Sequence, residues 1–240
     1  MVSSRLEELD WQQTPMGELT LRRRHDPLVD AEVYEVKLGD EYLMSSLFTL
    51  AEEELARLGL DAVTGESLRV LVGGLGLGYT AVTALDDARV ASMTVVDALP
   101  AVIDWHERLL LPVSARLVRD PRTRLAVGDF FAWMRDDAGP SAASKYDAIL
   151  LDVDHSPRHQ LDPSHADLYT VDGLRRLRGH LTEHGVFALW SDDPPDDEFM
   201  ADLDTVFPGA RAQVVRFDNP LTGGISANTV YVAGGQLTIR

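Results

Sequence analysis

Apolar and polar residues follow two different patterns along the chain, and the change between them divides the sequence into two regions. In the first region, residues 17–21 and 31–38 alternate between apolar and polar side chains, which is typical of strands with one buried face. Turn-forming residues lie between these segments. The pattern therefore predicts a small N-terminal β-region over residues 1–45, followed by a larger domain over residues 46–240.

In the larger region, short apolar runs alternate with segments of helical period. A capping-box sequence at Thr49–Glu52 predicts a helix that runs to about Leu58 and stops at Gly59. Alternation of strands and helices at the spacing that follows is typical of a parallel sheet covered on both faces. The predicted strands are 68–73, 92–97, 123–127, 146–153, 186–191, 211–217 and 228–233, and the predicted helices are 78–86, 100–110, 129–135, 170–181 and 196–206.

The last two predicted strands depart from this alternation. Between Phe217 and Asn228 only a short loop remains, whereas a parallel crossover needs about a dozen residues. These two strands are therefore expected to pair as an antiparallel hairpin. A doubly wound, mostly parallel seven-stranded α/β sheet that ends in such a hairpin resembles the Rossmann-like fold of S-adenosylmethionine-dependent methyltransferases.

Composition narrows the class of partner. The formal net charge of −17 disfavours binding to nucleic acid or to an anionic membrane surface. The chain has no cysteine, which excludes disulfides and thiolate metal sites. It has no run of 18 apolar residues, and its N-terminus lacks the apolar centre of a signal peptide. We expect a cytoplasmic protein with neither a nucleic-acid nor a membrane partner.

A glycine-rich turn follows the first strand of the larger domain, and an acid ends the next strand about 20 residues later. A tight turn at a helix N-terminus, with a carboxylate for ribose hydroxyls, describes a nucleotide-type pocket. The close spacing of the glycines suits a cofactor without a pyrophosphate. The alternatives are that the glycines serve packing alone and that the acid caps the next helix. The predicted cofactor-binding residues here are Gly73, Gly74, Gly76, Gly78, Asp97 and Ala98.

The third strand of this domain is followed by Gly128-Asp129-Phe130. An acid at the carboxyl edge of a sheet can accept a hydrogen bond from an adenine amino group, and an aromatic ring beside it can cover the base. The alternative is that Asp129 is the N-cap of the following helix. Gly128, Asp129 and Phe130 join the predicted cofactor site.

The fourth strand ends in Asp152-Val153-Asp154-His155, next to the point where strand order is expected to reverse. Asp152 and Asp154 share one face by strand period, so they could hold an amine and accept its proton. Two acids close together raise one pKa, which favours a general base. We predict Asp152, Asp154 and His155 as catalytic residues, with Asp152 also beside the cofactor. Turn formation before Pro157 is the alternative.

The histidines of this region could also indicate a metal site. The spacing of His155, His159, His165 and Asp167 matches no standard site, and no cysteine assists. No metal is therefore expected, and proton transfer is the functional interpretation kept for His155.

Two further acids, Asp192 and Asp193, follow the fifth strand, and Trp190 ends it. The acids could add negative potential to a pocket for a cation, with the indole of Trp190 as a wall that attracts cations. A purely structural role in the loop is an equally open alternative.

The order of these motifs resembles the spermidine synthase (polyamine aminopropyltransferase) family, including Asp167-Leu168-Tyr169-Thr170 before a helix. The resemblance implies a methyltransferase-like fold and a transferase of polyamine biosynthesis. Such an enzyme moves an aminopropyl group from decarboxylated S-adenosylmethionine to a small-molecule amine, and a homodimer is implied. Asp97 would hold the ribose, Asp129 the adenine and Asp152 the attacking amine. The substrate pocket would comprise Trp190, Asp192, Asp193 and Tyr169.

The chain also differs from that family at the amine end. The family usually carries an acid at the position of Gly76, a second acid at that of His155 and a glutamine at that of Trp190. An S-adenosylmethionine-dependent small-molecule methyltransferase is therefore one alternative, because a cofactor carboxylate would meet less repulsion at Gly76. A non-catalytic nucleoside-binding homologue is the second alternative.

Overall fold

The computed structural model describes residues 6–14, 16–136 and 145–235. Parts of the two predicted domains, at 1–5, 15, 137–144 and 236–240, lie outside the described residues. The strands are β1 (Glu7–Thr14), β2 (Gly17–Asp26), β3 (Ala31–Leu38), β4 (Glu41–Ser45), β5 (Leu68–Gly73), β6 (Val90–Asp97), β7 (Thr123–Val127), β8 (Tyr146–Leu151), β9 (Leu181–Ser191), β10 (Arg211–Asn219) and β11 (Gly224–Gly234). The helices are α1 (Leu50–Asp61), α2 (Tyr79–Ala84), α3 (Pro100–Glu107), α4 (Ser114–Arg119), α5 (Phe130–Asp136), α6 (Val171–Gly179) and α7 (Asp197–Val206), with a 3-10 helix at Pro163–Tyr169.

The strands form a four-stranded sheet, in the order β1-β2-β3-β4, and a seven-stranded sheet, in the order β10-β11-β9-β8-β5-β6-β7. In the larger sheet β5 to β9 run parallel, whereas β11 pairs antiparallel with both β9 and β10. The predicted fold class is therefore confirmed, including the antiparallel hairpin and the small N-terminal β-region.

Strand order in the large sheet reverses between β5 and β8, because the chain builds outward from β5 through β6 to β7 and then returns to place β8 on the other side. The turn after β5 and the segment after β8 consequently leave the sheet side by side. The backbone N–H of Asp152 donates to the Gly73 carbonyl oxygen at 2.8 Å. This is the crevice in which open α/β sheets bind ligands.

The side chains of β5 alternate between two hydrophobic cores. Val70 and Val72 pack with α1 residues such as Leu55 in one buried cluster. Leu71, which points to the opposite face by strand period, packs with residues of α5 to α7, such as Phe199, in the other. Helices therefore cover both faces of the large sheet, and the site at its edge is built on rigid elements.

The N-terminal sheet includes two strands, β1 and β4, that the sequence pattern does not predict. Strand β1 pairs with β2 at the edge of this sheet. None of its side chains is fully buried, and its sequence therefore does not need the apolar alternation of a half-buried strand. Leu19 and Leu21 of β2 lie in the same hydrophobic cluster as residues of the larger sheet. Since the two regions share this core, the division at residues 45 and 46 stays a prediction.

Helix α1 corrects two local expectations. Thr49 is its N-cap residue, but the predicted capping box does not form, because the Thr49 hydroxyl donates to Glu53 Oε1 at 3.0 Å instead of accepting a backbone N–H. The helix also continues beyond Gly59 to Asp61. A Cβ atom at Gly59 would lie 2.6 Å from Leu150 Cδ2, so this glycine lets α1 approach the sheet closely rather than ending the helix.

Other boundaries differ from the prediction at the ends of helices. The helix predicted over 100–110 ends at Glu107, and the short α4 follows in a segment expected to be a loop. The helix predicted over 170–181 ends at Gly179, because Leu181 already pairs with Tyr146 and extends β9. Among the described residues, no helix is both long and apolar enough to cross a bilayer.

Gly59→Ala is expected to destabilise the protein by about 1–3 kcal/mol, because the new methyl group overpacks the contact with Leu150. This loss should exceed the gain of up to about 1 kcal/mol in helix propensity. Chemical denaturation measures the effect. The matched control is Gly179→Ala, where no atom lies within 4 Å of the added Cβ. Equal stability of the two variants would contradict the packing role.

Candidate active site

Two adjoining cavities lie at the carboxyl ends of β5, β6 and β8. The larger compartment, of about 260 Å³, is lined by Asp97, Asp129 and the turn after β5. The smaller compartment, of about 100 Å³, lies between that turn and α1. Gly76 and Asp152 line both. A ligand could therefore extend from one compartment into the other past these two residues.

The turn after β5 requires glycine at Gly74. Its φ is 91°, and a Cβ there would lie 1.9 Å from the Asp152 carbonyl oxygen. His106, which is fully buried beneath the turn, donates from Nε2 to the Gly76 carbonyl oxygen at 2.9 Å. The turn is thus held between β8 and α3. Gly74 and Gly76 line the larger compartment, Gly78 lines only the smaller one, and Gly73 lines neither.

Asp97 lines the larger compartment, and its carboxylate is also hydrogen-bonded to the backbone. Oδ2 accepts from the N–H groups of Leu75 at 3.0 Å and Gly76 at 3.4 Å, and Oδ1 accepts from Leu99 at 2.9 Å. Burial raises the pKa of Asp97, and these N–H groups partly oppose that shift. Asp97 is not the N-cap of α3, which is Leu99, so the capping alternative is wrong, and ligand binding at Asp97 stays a prediction.

The predicted cofactor-binding residues Ala98, Gly128, Asp129 and Phe130 form the far wall of the larger compartment. Asp129 Oδ1 accepts from the backbone N–H of Phe131 at 2.8 Å, which is the capping alternative. Its side chain is 46% exposed, and Oδ2 lies 3.7 Å from Arg135 Nη2.

Two residues of this wall escape sequence reasoning. His165 stacks on Phe131 with the ring centroids 3.6 Å apart, and both line the larger compartment. Phe131 could have been found as the second aromatic after Asp129. His165 could not, because it reaches the wall only through the fold of the 155–169 loop, the segment of residues 155–169 after β8.

The smaller compartment contains two carboxylates, Asp152 and Glu52. Asp152 Oδ2 accepts from the Thr80 hydroxyl at 2.7 Å. Burial raises the pKa of Asp152 above its usual range. Burial, together with repulsion from Asp152, also raises the pKa of Glu52. Sequence reasoning treated Glu52 only as a capping residue of α1, and no local signal showed that it faces Asp152.

The other polar walls of this compartment are Trp190, His155 and Tyr79. The Trp190 Nε1–H is buried and has no acceptor among the described residues. His155 Nε2 is likewise buried without a hydrogen-bond partner among the described residues, and it lies 3.3 Å from Glu41 Oε1. Among the residues that the structure describes, neither lysine nor arginine lines the compartment.

Asp154 and Tyr169 lie away from both compartments. Asp154 is fully buried and accepts three hydrogen bonds, from the Leu161 backbone N–H at 2.8 Å, His165 Nδ1 at 2.8 Å and the Tyr169 hydroxyl at 2.7 Å. Burial and the Asp154 carboxylate raise the pKa of Tyr169. These bonds hold the 155–169 loop, which supplies Leu161 and His165 to the cleft wall.

Asp154→Asn is expected to lower the free energy of unfolding by about 1–3 kcal/mol, since an amide leaves one buried donor unsatisfied. Hydrogen exchange should accelerate in the 155–169 loop more than in β8. The control is Asp167→Asn in the same loop, which removes an exposed carboxylate charge that pairs with Arg176 of α6. This variant should change the free energy of unfolding by less than about 0.5 kcal/mol. Unchanged exchange in Asp154→Asn would contradict this positioning role.

Asp192 and Asp193 also lie outside the walls of the two compartments. Asp192 Oδ1 accepts from Asn228 Nδ2 at 2.7 Å. Hydrogen bonds from Ser156 and His159 lower the pKa of Asp193. Their predicted contact with a substrate stays a prediction. No group of three or more His, Asp or Glu side chains that could hold a metal ion occurs among the described residues.

Curated proteins with similar sequences are polyamine aminopropyltransferases. That of Corynebacterium efficiens is 33% identical over 101 residues, which is 42% of this chain and 18% of that protein. That of Mycobacterium tuberculosis is 32% identical over 128 residues, which is 51% of this chain and 24% of that protein. That of Sulfolobus acidocaldarius is 30% identical over 125 residues, which is 52% of this chain and 39% of that protein. The match thus spans less than two fifths of each relative's length. No family model matches the chain.

Solved structures with a similar fold include a spermidine synthase in complex with the transition-state analogue AdoDATO. It has a TM-score of 0.75 and 17% identity, and the match covers 96% of this chain and 74% of that one. The spermidine synthase of Thermotoga maritima has a TM-score of 0.73 and 18% identity, and the match covers the same shares of the two chains. Human methyltransferase-like protein 13 in complex with SAH has a TM-score of 0.53 and 21% identity, and the match covers 80% of this chain and 81% of that one.

These comparisons confirm the resemblance that the motifs indicated. The chain has the methyltransferase-like fold of solved spermidine synthases and is similar in sequence to polyamine aminopropyltransferases over about half of its length.

Proposed function

We propose that the protein is a transferase that moves an aminopropyl group from decarboxylated S-adenosylmethionine to a small-molecule amine. The observation that carries the proposal is Asp152, a half-buried carboxylate that lines both compartments at the topological switch point. The sequence similarity to polyamine aminopropyltransferases supports the same reaction class.

The nucleoside would occupy the larger compartment. Asp97 lies at the end of β6 and would accept a hydrogen bond from a ribose hydroxyl through the remaining lone pair of Oδ1. The half-exposed carboxylate of Asp129, which lies 3.7 Å from Arg135, would accept from the adenine amino group, and Phe130 would contact the ring. The sulfonium tail would then pass Gly76 into the smaller compartment, where Asp152 lies.

The reaction in this arrangement is a substitution at the carbon next to the positive sulfur. The amine nitrogen of the acceptor forms a bond to that carbon, and the carbon–sulfur bond breaks with its electron pair going to sulfur. The product 5′-methylthioadenosine leaves as a neutral thioether, and one proton passes from the amine to Asp152. A carboxylate whose pKa is raised by burial is a better base near neutral pH than an exposed one.

Positioning would supply much of the rate enhancement. The residues of the smaller compartment come mainly from the turn after β5, the segment after β8 and α1, and a bound substrate would displace water from it. His155 at the compartment wall could assist proton transfer, whereas Asp154 acts on the loop through its buried hydrogen bonds. A homodimer, a cytoplasmic location and a role in polyamine biosynthesis stay predictions from the sequence.

The test is a product analysis. Purified protein is incubated with decarboxylated S-adenosylmethionine or with S-adenosylmethionine, each with a panel of aliphatic amines, and the nucleoside products are separated. We expect 5′-methylthioadenosine from the decarboxylated cofactor. S-adenosylhomocysteine from the carboxylated cofactor would replace the proposal by methyl transfer. Nucleoside binding without any product would replace it by the non-catalytic homologue.

A methyltransferase is the second candidate because of one observation. Gly76 leaves the turn without the acid that the spermidine synthase family usually carries there, and its backbone lines both compartments. A cofactor carboxylate would therefore meet no negative side chain from the turn itself.

A further inference from the structure

The smaller compartment contains an acid that comes from α1 rather than from the glycine turn. Glu52 lines this compartment together with Gly76 and Asp152. A Cβ atom at Gly76 would lie 3.0 Å from Met44 Sδ, so Met44 fills the space into which a side chain at position 76 would extend. The turn thus offers only backbone here, and the second carboxylate is delivered by the helix.

From this placement we propose that Glu52 makes the site select a cofactor tail that ends in an ammonium group over a tail that also carries a carboxylate. The inference rests on the proposed function, because it presupposes that a sulfonium nucleoside binds in the cleft. It identifies which residue distinguishes decarboxylated S-adenosylmethionine from S-adenosylmethionine in a chain that has glycine at position 76.

The position of Glu52 is firmly set relative to Asp152. The Thr80 hydroxyl donates to Asp152 Oδ2 at 2.7 Å and lies 3.3 Å from the Glu52 carbonyl oxygen. Thr80 is only 3% exposed, and α1 packs against the sheet at Gly59. The two carboxylates therefore belong to elements that cannot easily move apart to relieve their repulsion.

The charge of the compartment favours a cation. Repulsion from Glu53 and Asp192 also raises the pKa of Glu52, and repulsion from Glu52 contributes to the raised pKa of the Tyr79 hydroxyl. His155 is the only basic side chain among the described residues that line the compartment, and it lies next to Glu41. A ligand carboxylate would find no cationic partner, whereas an ammonium would be attracted by both acids.

Trp190 gives independent support for a ligand at this place. Its indole lines the same compartment, and its buried Nε1–H has no acceptor among the described residues. Buried donors are rarely left without a partner in a complete site. The indole face can also attract an ammonium group.

The experiment compares the binding of the two cofactors to the whole protein. Isothermal titration calorimetry without an acceptor amine gives the dissociation constants of decarboxylated S-adenosylmethionine and of S-adenosylmethionine. We expect wild type to prefer the decarboxylated form at least tenfold, which is about 1.4 kcal/mol. Glu52→Gln should reduce this preference at least tenfold, mainly by weakening the binding of the decarboxylated form and strengthening that of the carboxylated form.

The matched control is Glu54→Gln. It removes the same charge from the same helix, but Glu54 Oε1 accepts from Arg57 at 2.7 Å and does not line the compartment. The preference should stay as in wild type. Glu52→Gln is expected to fold, because a neutral amide replaces a buried carboxylate whose ionisation burial already opposes.

A second measurement follows the protons. Because burial raises the pKa of both carboxylates, a bound ammonium tail should lower these pKa values and release protons. Titrations of wild type in two buffers with different ionisation enthalpies should therefore give different apparent binding enthalpies. The difference should be smaller in Glu52→Gln, whereas a purely structural role for Glu52 would leave it unchanged.

The outcomes separate the inference from the proposed function. If neither cofactor binds, the proposed function and the inference both fail. If wild type binds both cofactors equally well, or if Glu52→Gln keeps the wild-type preference, only the inference is overturned. The absence of proton release on binding of the decarboxylated form would also overturn it.

Discussion

Asp152→Asn should reduce turnover of the transferase by about 10²–10⁴-fold, the usual contribution of a general base. Asparagine has nearly the same shape and can still accept from the Thr80 hydroxyl, which lies 2.7 Å from Asp152 Oδ2. It cannot take a proton from the amine. Cofactor binding should change much less than turnover, since Asp97 and Asp129 hold the nucleoside in the proposed site. Steady-state kinetics and calorimetry measure the two effects separately.

The pH profile of wild type provides a further test of the same residue. The base must be deprotonated, and burial raises the pKa of Asp152 above that of an ordinary aspartate. Turnover should therefore fall on acidification at a higher pH than an exposed carboxylate would give, and the acid limb should disappear in Asp152→Asn. The control is Asp86→Asn, an exposed acid paired with Arg116. Unchanged turnover in Asp152→Asn would remove this residue from the mechanism.

Gly74→Ala should prevent stable folding or destabilise the protein by more than about 4 kcal/mol, which is in the exceptional range for a single substitution. The new Cβ would lie 1.9 Å from the Asp152 carbonyl oxygen, and that oxygen belongs to backbone that cannot rotate away. The residue also has a φ of 91°, a conformation that side chains disfavour. Thermal and denaturant unfolding measure the loss.

The matched control for Gly74 is Gly39→Ala. Gly39 has a φ of 58°, but no atom lies within 4 Å of the place that a Cβ would occupy there. Only the backbone penalty applies at this position, so we expect a cost of about 1–2 kcal/mol. Equal losses in the two variants would mean that the close approach of the turn to β8 is not what requires glycine at position 74.

The architecture of the large sheet follows from features that are local in the sequence. Apolar runs of strand length, the absence of a crossover before β11 and the glycines after β5 each report on neighbouring residues. Asp97, Asp129 and Asp152 were found for the same reason, because they stand directly after strands whose carboxyl ends meet at one edge. Their placement around one cleft required only the order of the strands.

Backbone hydrogen bonding and ligand binding at these acids could not be separated from sequence. Asp97 and Asp129 both accept backbone N–H groups and both line the larger compartment. In the proposed site, ligand contact would use the lone pairs that these backbone hydrogen bonds leave free. A pattern of residue types does not specify how those lone pairs are divided.

The amine end of the site depends on contacts between residues far apart in the chain, and it was found only once the helices were packed. Strand and turn patterns in the sequence suffice for the sheet, its hairpin and the acids at its edge, because each arises from interactions within a few residues. The packing of α1 brings Glu52 to Asp152, and the 155–169 loop turns Asp154 away from the cleft. Such pairings arise from close packing and from the need to satisfy buried polar groups, which depend on distances that a linear pattern does not contain.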